Sequence, residues 1–235
     1  MSVWITRSEP GASRLAARLE AAGYLPLTAP VMAIEPIAVS PPADPFDAAV
    51  FVSEQAVAPG LAALARAGVD PAEVQVFAVG PRTAAVLREH GISARYPEPA
   101  SSEGLLGLSE LVEVSGRTVL LLCGEGGRDL LERRLAGRGA AVRRLELYRR
   151  RPVPLEDVQA RVEPESVSAI VVGSGDGLHW AARVWFAAQG SKRVPLFVPS
   201  SRVAKIGEQL GFARVVVCEG AGSDALLAAL SQLVE

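Results

Sequence analysis

The chain has little of what builds metal centres and disulfide scaffolds. Two cysteines and two histidines are spread over 235 residues, and Cys123, Cys218, His90 and His179 show no spacing of zinc ligands. Both cysteines close apolar, strand-like runs, which suits small buried hydrophobes better than a bridge or a redox pair. Both histidines fall in helical stretches with no nucleophile or carboxylate in a recognisable motif beside them. No apolar run approaches the roughly 20 residues of a membrane span, and the first residues lack a basic, apolar leader. The expectation is therefore a soluble, cytoplasmic protein with no membrane partner. Neither sign of charge dominates: 24 Lys+Arg against 26 Asp+Glu leave a formal charge of −2. That balance excludes a nucleic-acid surface spread over the whole molecule, although it permits a local basic patch.

What is present is apolar residue in quantity. Hydrophobic side chains make up 49% of the chain and the mean hydropathy is +0.26, enough to bury the core of one large or two small domains. The apolar residues come as short runs separated by helical patterns. Strands are expected at 3–6, 48–52, 74–79, 118–122, 140–147, 169–172, 194–198 and 215–217, with a weak one at 92–96. Helices are expected at 13–22, 55–67, 81–90, 101–111, 129–137, 177–188, 201–210 and 224–233. Strands alternating with helices predict an α/β fold with parallel sheets covered on both faces. An extended, proline-interrupted run over 25–45 breaks the alternation and reads as a connection leaving a domain.

An internal repeat reinforces this reading. Phe77, Arg82, Ala84, Gly91 and Leu106 recur 120 positions later as Phe197, Arg202, Ala204, Gly211 and Leu226. Glu9, Gly11, Leu15, Arg18, Leu19 and Gly23 recur 116 positions later as Glu125, Gly127, Leu131, Arg134, Leu135 and Gly139. Ala48 and Ser53 pair with Ala169 and Ser174 in the same way. The expected architecture is two similar lobes with a ligand cleft between them.

In such modules the loops after the strands share one edge, where helix N-termini present unpaired backbone N–H groups. Here those loops hold glycine, serine and threonine, with almost no groups suited to proton transfer. An anionic ligand fits them: carboxylates or phosphates held by amides and hydroxyls. Each serine has a second reading, because Ser53, Ser102, Ser174 and Ser201 also stand where helix caps are expected. GEGGRD at 124–129 carries neither a phosphate-loop lysine nor a dinucleotide fingerprint. The run Arg149, Arg150, Arg151 reads as a solvated face or as part of a site, and Tyr148 before it as a strand-end aromatic or a functional phenol.

Taken in order, these motifs resemble the uroporphyrinogen-III synthase family over nearly the whole chain. The resemblance is carried by VWITRSEPGASRLAARLEAAGYLPLTAPVMAIEP, AVFVSEQAV, VFAVGPRTAAVLREHG and TVLLLCGEGGRDLLERRLAGRGAAVRRLELYRRRP. It implies two α/β lobes, one made by both chain ends (1–38 and 152–235) and the other by 39–151, joined by two extended linkers around 35–40 and 145–154. It further implies a cyclising hydro-lyase acting on hydroxymethylbilane, a linear tetrapyrrole with eight carboxylates, without metal or cofactor. A monomer is expected, and a transient contact with the enzyme that supplies the substrate is compatible with it. Residue by residue, the family pattern makes Tyr148 the catalytic candidate. The substrate-binding candidates are Arg7, Ser53, Gln55, Thr83, Ser102, Gly124, Ser174 and Ser201. The chain departs from the pattern at Cys123, where an arginine is usual, and at Val52 and Val203, where hydroxyls are. A non-catalytic two-lobed paralogue binding another anionic ligand is the competing expectation.

Overall fold

Each short apolar run becomes a strand, and most are followed by a helix. In chain order the first elements are β1 (Ser2–Ile5), α1 (Gly11–Ala21), β2 (Leu25–Thr28), β3 (Met32–Pro36), β4 (Ala48–Phe51), α2 (Val57–Arg66) and β5 (Gln75–Ala78). The middle of the chain forms α3 (Pro81–Glu89), α4 (Ser102–Leu105), α5 (Ser109–Val112), β6 (Thr118–Gly124), α6 (Leu130–Gly137) and β7 (Ala141–Pro152). The last third forms α7 (Leu155–Gln159), β8 (Ala169–Val171), α8 (Gly175–Ala187), β9 (Leu196–Val198), α9 (Ser201–Gln209), β10 (Val215–Val217) and α10 (Ser223–Ser231). This computed structural model describes residues 1–40, 42, 44–218 and 222–232. The expected helix end at 233 and parts of the proline-rich 40–45 stretch therefore lie outside the described residues.

The chain divides into two compact units, one of Met1–Ala33 with Arg151–Glu235 and one of Ile34–Arg150. The first unit holds a five-stranded sheet in the order β10-β9-β8-β1-β2, and the second a five-stranded sheet in the order β3-β7-β6-β4-β5. In the first, β1 lies parallel between β2 and β8, with Val3 opposite both Pro26 and Ala169. In the second, β4 lies parallel between β5 and β6, with Phe51 opposite Ala78 and Leu122. Strands adjacent in the first sheet are thus drawn from opposite ends of the sequence.

Both faces of each sheet are dry because side chains alternate along every strand. In β4, Ala48 and Val50 join one core with Val119, Leu121 and Phe77. Ala49 and Phe51 join the other with Leu120, Leu122 and Ala78. The first unit repeats the division: Val3, Ile5 and Val171 pack on one side, Trp4, Ile170 and Trp185 on the other. The repeat reappears as packing, since Leu15 and Leu19 of α1 sit in the first unit as Leu131 and Leu135 of α6 sit in the second. It also reappears in the helix stops, where Gly23 and Gly139 take φ of 81° and 85°, the left-handed conformation that glycine adopts without a Cβ penalty.

Several sequence expectations need correction. The helix expected over 101–111 is two single turns, α4 and α5, because the chain breaks around Gly107 and Leu108. The weak strand at 92–96 reduces to one isolated bridge between Phe77 and Arg95. Helix α7 has no counterpart in the sequence pattern. The tail 148–152, expected as linker and not as strand, is the last stretch of the 12-residue β7, and the division between the two units falls within it, between Arg150 and Arg151. Its backbone is paired: Leu147 accepts from the Ile37 N–H at 2.9 Å, and Glu125 donates to the Tyr148 carbonyl at 2.8 Å.

Candidate functional site

In the second unit, the ends of two strands, β4 and β6, meet Tyr148 of β7. Strand β6 finishes at Gly124, which lies in register with Tyr148 on β7 after a bulge at Cys123 and Gly124. A Cβ built on Gly124 would stand 2.6 Å from Cζ of Tyr148 and 2.9 Å from its hydroxyl. No real Cβ tolerates that approach, so glycine here is what lets the phenol ring lie against the neighbouring strand. Tyr148 is 3% exposed. Beyond β4, Ser53 has extended backbone at φ −164° and ψ 159°, with no side-chain bond to the turn that follows. Its Oγ instead lies 2.9 Å from the Tyr148 hydroxyl. The cap reading of Ser53 is thereby overturned: the hydroxyl reaches across the sheet edge instead.

Two hydroxyls in one hydrogen bond share a single hydrogen, so one O–H remains for a third group. That group would sit in a cavity of about 280 Å³ whose walls include Ser53, Ser102, Gly124, Gly127 and Tyr148. Cys123 and three arginines, Arg128, Arg144 and Arg150, also line it. Arg128 is paired with Glu103 at 3.1 Å. Arg144 is held between Glu132 at 3.2 Å and Glu146 at 3.0 Å. The Arg150 guanidinium stands over the Tyr148 ring, 5.7 Å from its centroid. Burial pushes the Cys123 thiol above its ordinary pKa, with Arg144 opposing and Glu146 reinforcing the rise. A protonated thiol is a poor nucleophile, and it serves as an apolar part of the wall.

The remaining candidates fall into two groups. Ser102 is the first residue of α4 and faces the cavity, while the cap itself is Ser101, whose Oγ accepts from the Gly104 N–H at 2.8 Å. Thr83 is buried in the first turn of α3, outside the cavity wall. Gln55 lies in the short turn after β4, also off the wall, where Glu54 ties that turn to Arg82 at 2.9 Å. Arg7, Ser174 and Ser201 belong to the first unit. Arg7 follows β1 and packs over Gly173, where an added Cβ would meet its Cγ and Nε at 3.3 Å. Burial lowers its pKa, with Cys218 acting in the opposite direction. Ser174 does cap α8, accepting from the Gly177 N–H at 3.1 Å. Ser201 is an exposed first residue of α9, and the cap position there belongs to Ser200.

Sequence reasoning misses Arg128 and Arg144. The signal for Arg144 is available, since positions 144, 146, 148 and 150 of a single strand recur with period two. Arg128 carries no such mark. Among the described residues no cluster of histidine, cysteine and carboxylates could hold a metal ion.

The family model of uroporphyrinogen-III synthase HemD matches residues 13–228. The uroporphyrinogen-III synthase of Salmonella typhimurium (strain LT2) is 34% identical over 245 residues, covering 98% of this chain and 100% of that protein. The uroporphyrinogen-III synthase of Escherichia coli (strain K12) is 32% identical over 247 residues, with the same coverage of 98% and 100%. Among solved structures, uroporphyrinogen-III synthetase from Helicobacter pylori superposes with a TM-score of 0.64 at 14% identity, over 100% of this chain and 99% of that one. A mutant uroporphyrinogen III synthase from the extremely thermophilic bacterium Thermus thermophilus gives 0.60 at 20% identity, again over 100% and 99%. These two structures share the fold.

Proposed function

The chain belongs to the uroporphyrinogen-III synthase family, and from that premise we propose that it closes hydroxymethylbilane to uroporphyrinogen III with inversion of ring D. Loss of water from the terminal hydroxymethyl group gives an azafulvene. Ring D attacks through its substituted carbon, the spiro intermediate reopens, and closure follows. Because the uncatalysed ring closure gives the uninverted isomer, the protein's task is to fix one conformation of the chain and exclude another. The reading is carried by the Ser53 and Tyr148 hydroxyl pair at 2.9 Å, which leaves one O–H for a group in the cavity that both residues line.

A phenol O–H is a hydrogen-bond donor as well as an acceptor. When Ser53 donates to the Tyr148 oxygen, the phenol O–H is left to donate to the departing hydroxyl and ease the C–O bond cleavage. Ser102 and the backbone amides of its loop hold substrate carboxylates in this scheme, and Arg7, Ser174 and Ser201 are assigned to that role through the family pattern alone. Gln55 and Thr83 are assigned to the same role through the family pattern alone.

Freshly prepared hydroxymethylbilane tests the proposal directly. The ratio of type III to type I uroporphyrin after oxidation should favour type III strongly, and type I product alone would overturn it in favour of a non-catalytic relative. A cytoplasmic, monomeric state belongs to the same reading. No helix among the described residues is long and apolar enough to cross a membrane, and a single species near 24.6 kDa in sedimentation checks the monomer.

A further inference from the structure

The three arginines around the cavity differ in what already neutralises them. Arg128 has Glu103, and Arg144 has both Glu132 and Glu146. Each already has an internal carboxylate balancing its charge, so a ligand carboxylate gains less there than at an arginine with none. The neighbouring Arg149 approaches Glu35 at 3.9 Å. Arg150 differs from all of these: among the described residues no carboxylate lies within ion-pair distance of it. Its planar group rests instead over the face of Tyr148, 5.7 Å from the ring centroid, a contact of modest strength at an exposed site. A guanidinium fork held in this way matches a carboxylate geometrically and has no internal partner to displace.

Position along the strand adds a constraint. Tyr148 and Arg150 are two residues apart on β7, so their side chains leave the same face of the strand, and both line one cavity. A ligand group hydrogen-bonded to the phenol therefore lies on the side of the strand that carries Arg150. We infer that Arg150 is a specificity-determining residue that binds a carboxylate of the substrate's hydroxymethyl-bearing ring, and so selects which end of the linear tetrapyrrole lies at Tyr148. The inference rests on the reading given above, and it assigns Arg150 a contact that the motif-matched residues do not supply.

The test is a comparison of Arg150→Gln, Arg150→Lys and Arg149→Gln with the wild type, each checked for folding by thermal melting. A charge-assisted hydrogen bond contributes about 1.5 kcal/mol or more, which corresponds to roughly a tenfold change in an equilibrium constant. Arg150→Gln should raise KM about tenfold with kcat changed far less, Arg150→Lys should recover part of the loss, and Arg149→Gln should stay within about twofold. A bilane esterified on the hydroxymethyl-bearing ring separates direct contact from an indirect effect on Tyr148. Wild type and Arg150→Gln should then give the same KM. If wild type makes type III product while Arg150→Gln keeps KM within twofold, the Arg150 contact is overturned and the synthase reading stands. The same holds if esterification leaves the difference between the two proteins intact. A wild type that makes only type I product overturns both.

Discussion

Gly124 and Tyr148 meet across two paired strands, and one methyl group is enough to test the fit. Gly124→Ala places a Cβ where Cζ of the ring already stands, 2.6 Å away. Neither the strand nor the buried ring can give way without leaving its register. Overpacking of this kind costs about 1–3 kcal/mol, and displacement of the phenol should cut turnover more than it lowers the melting temperature. Tyr148→Phe should reduce kcat markedly with little change in stability; activity within twofold of wild type would remove the phenol from the mechanism. Ser53→Ala breaks only the bond that orients it, an effect of about 0.5–1.5 kcal/mol, so its loss of turnover should be several-fold and smaller than that of Tyr148→Phe. Both are read from single-turnover rates with fresh substrate. Tyr148 is legible in the sequence only through its family motif. Ser53 is legible as a position but not as a role. A serine after a strand looks the same whether its oxygen caps the next turn or reaches a tyrosine 95 residues away.

Among the elements, β6 and β7 show where local pattern succeeds and where it stops. The apolar run at 118–122 could only be a doubly buried strand, and Leu122 is fully buried, within reach of the side where Gly60 makes room for it. Leu122→Ala should destabilise the protein by about 2–5 kcal/mol, measured as a lowered urea midpoint at unchanged slope. By contrast, β7 becomes polar after Leu147 and ends in three arginines and a proline. It pairs with β6 as far as Tyr148 and has β3 on its other side, and such pairing leaves no trace in side-chain periodicity. The break between α4 and α5 is hidden for a similar reason. Leucines at 105, 106, 108 and 111 suit one amphipathic helix as well as two separate turns, and the packing of Leu105, Leu106 and Leu111 into the sheet selects the latter.

At the scale of the whole molecule, each unit hides one thiol, Cys123 in the second and Cys218 in the first. Burial raises the pKa of both, with Arg144 and Arg7 respectively opposing the rise. An unfolded cysteine releases its proton near pH 8.5, while the folded protein still holds it. Between those two values the native state binds more protons than the unfolded one, so stability must fall as pH rises. Urea midpoints should therefore decline from about pH 8 towards about pH 10, and the decline should flatten in a Cys123→Ala/Cys218→Ala double variant, whatever its stability near neutral pH. The repeat spacing makes two similar α/β units legible, because the same apolar residues recur in the same order. Which copy pairs with which is open to two answers, since equivalent first strands fit either sheet.

The answer taken in the first sheet has a cost in time during synthesis. Thr6 bonds Val171 across 165 residues, and β1 cannot be flanked on both sides until β8 has been made. Residues 34–150 contain every strand that β4 and β6 need, so that unit can close on the ribosome while Val3, Trp4 and Ile5 still wait without their second neighbour. A strand made well before its neighbour β8 is among the last to be enclosed, and a chain that stops short of β8 leaves an apolar edge open to other nascent chains.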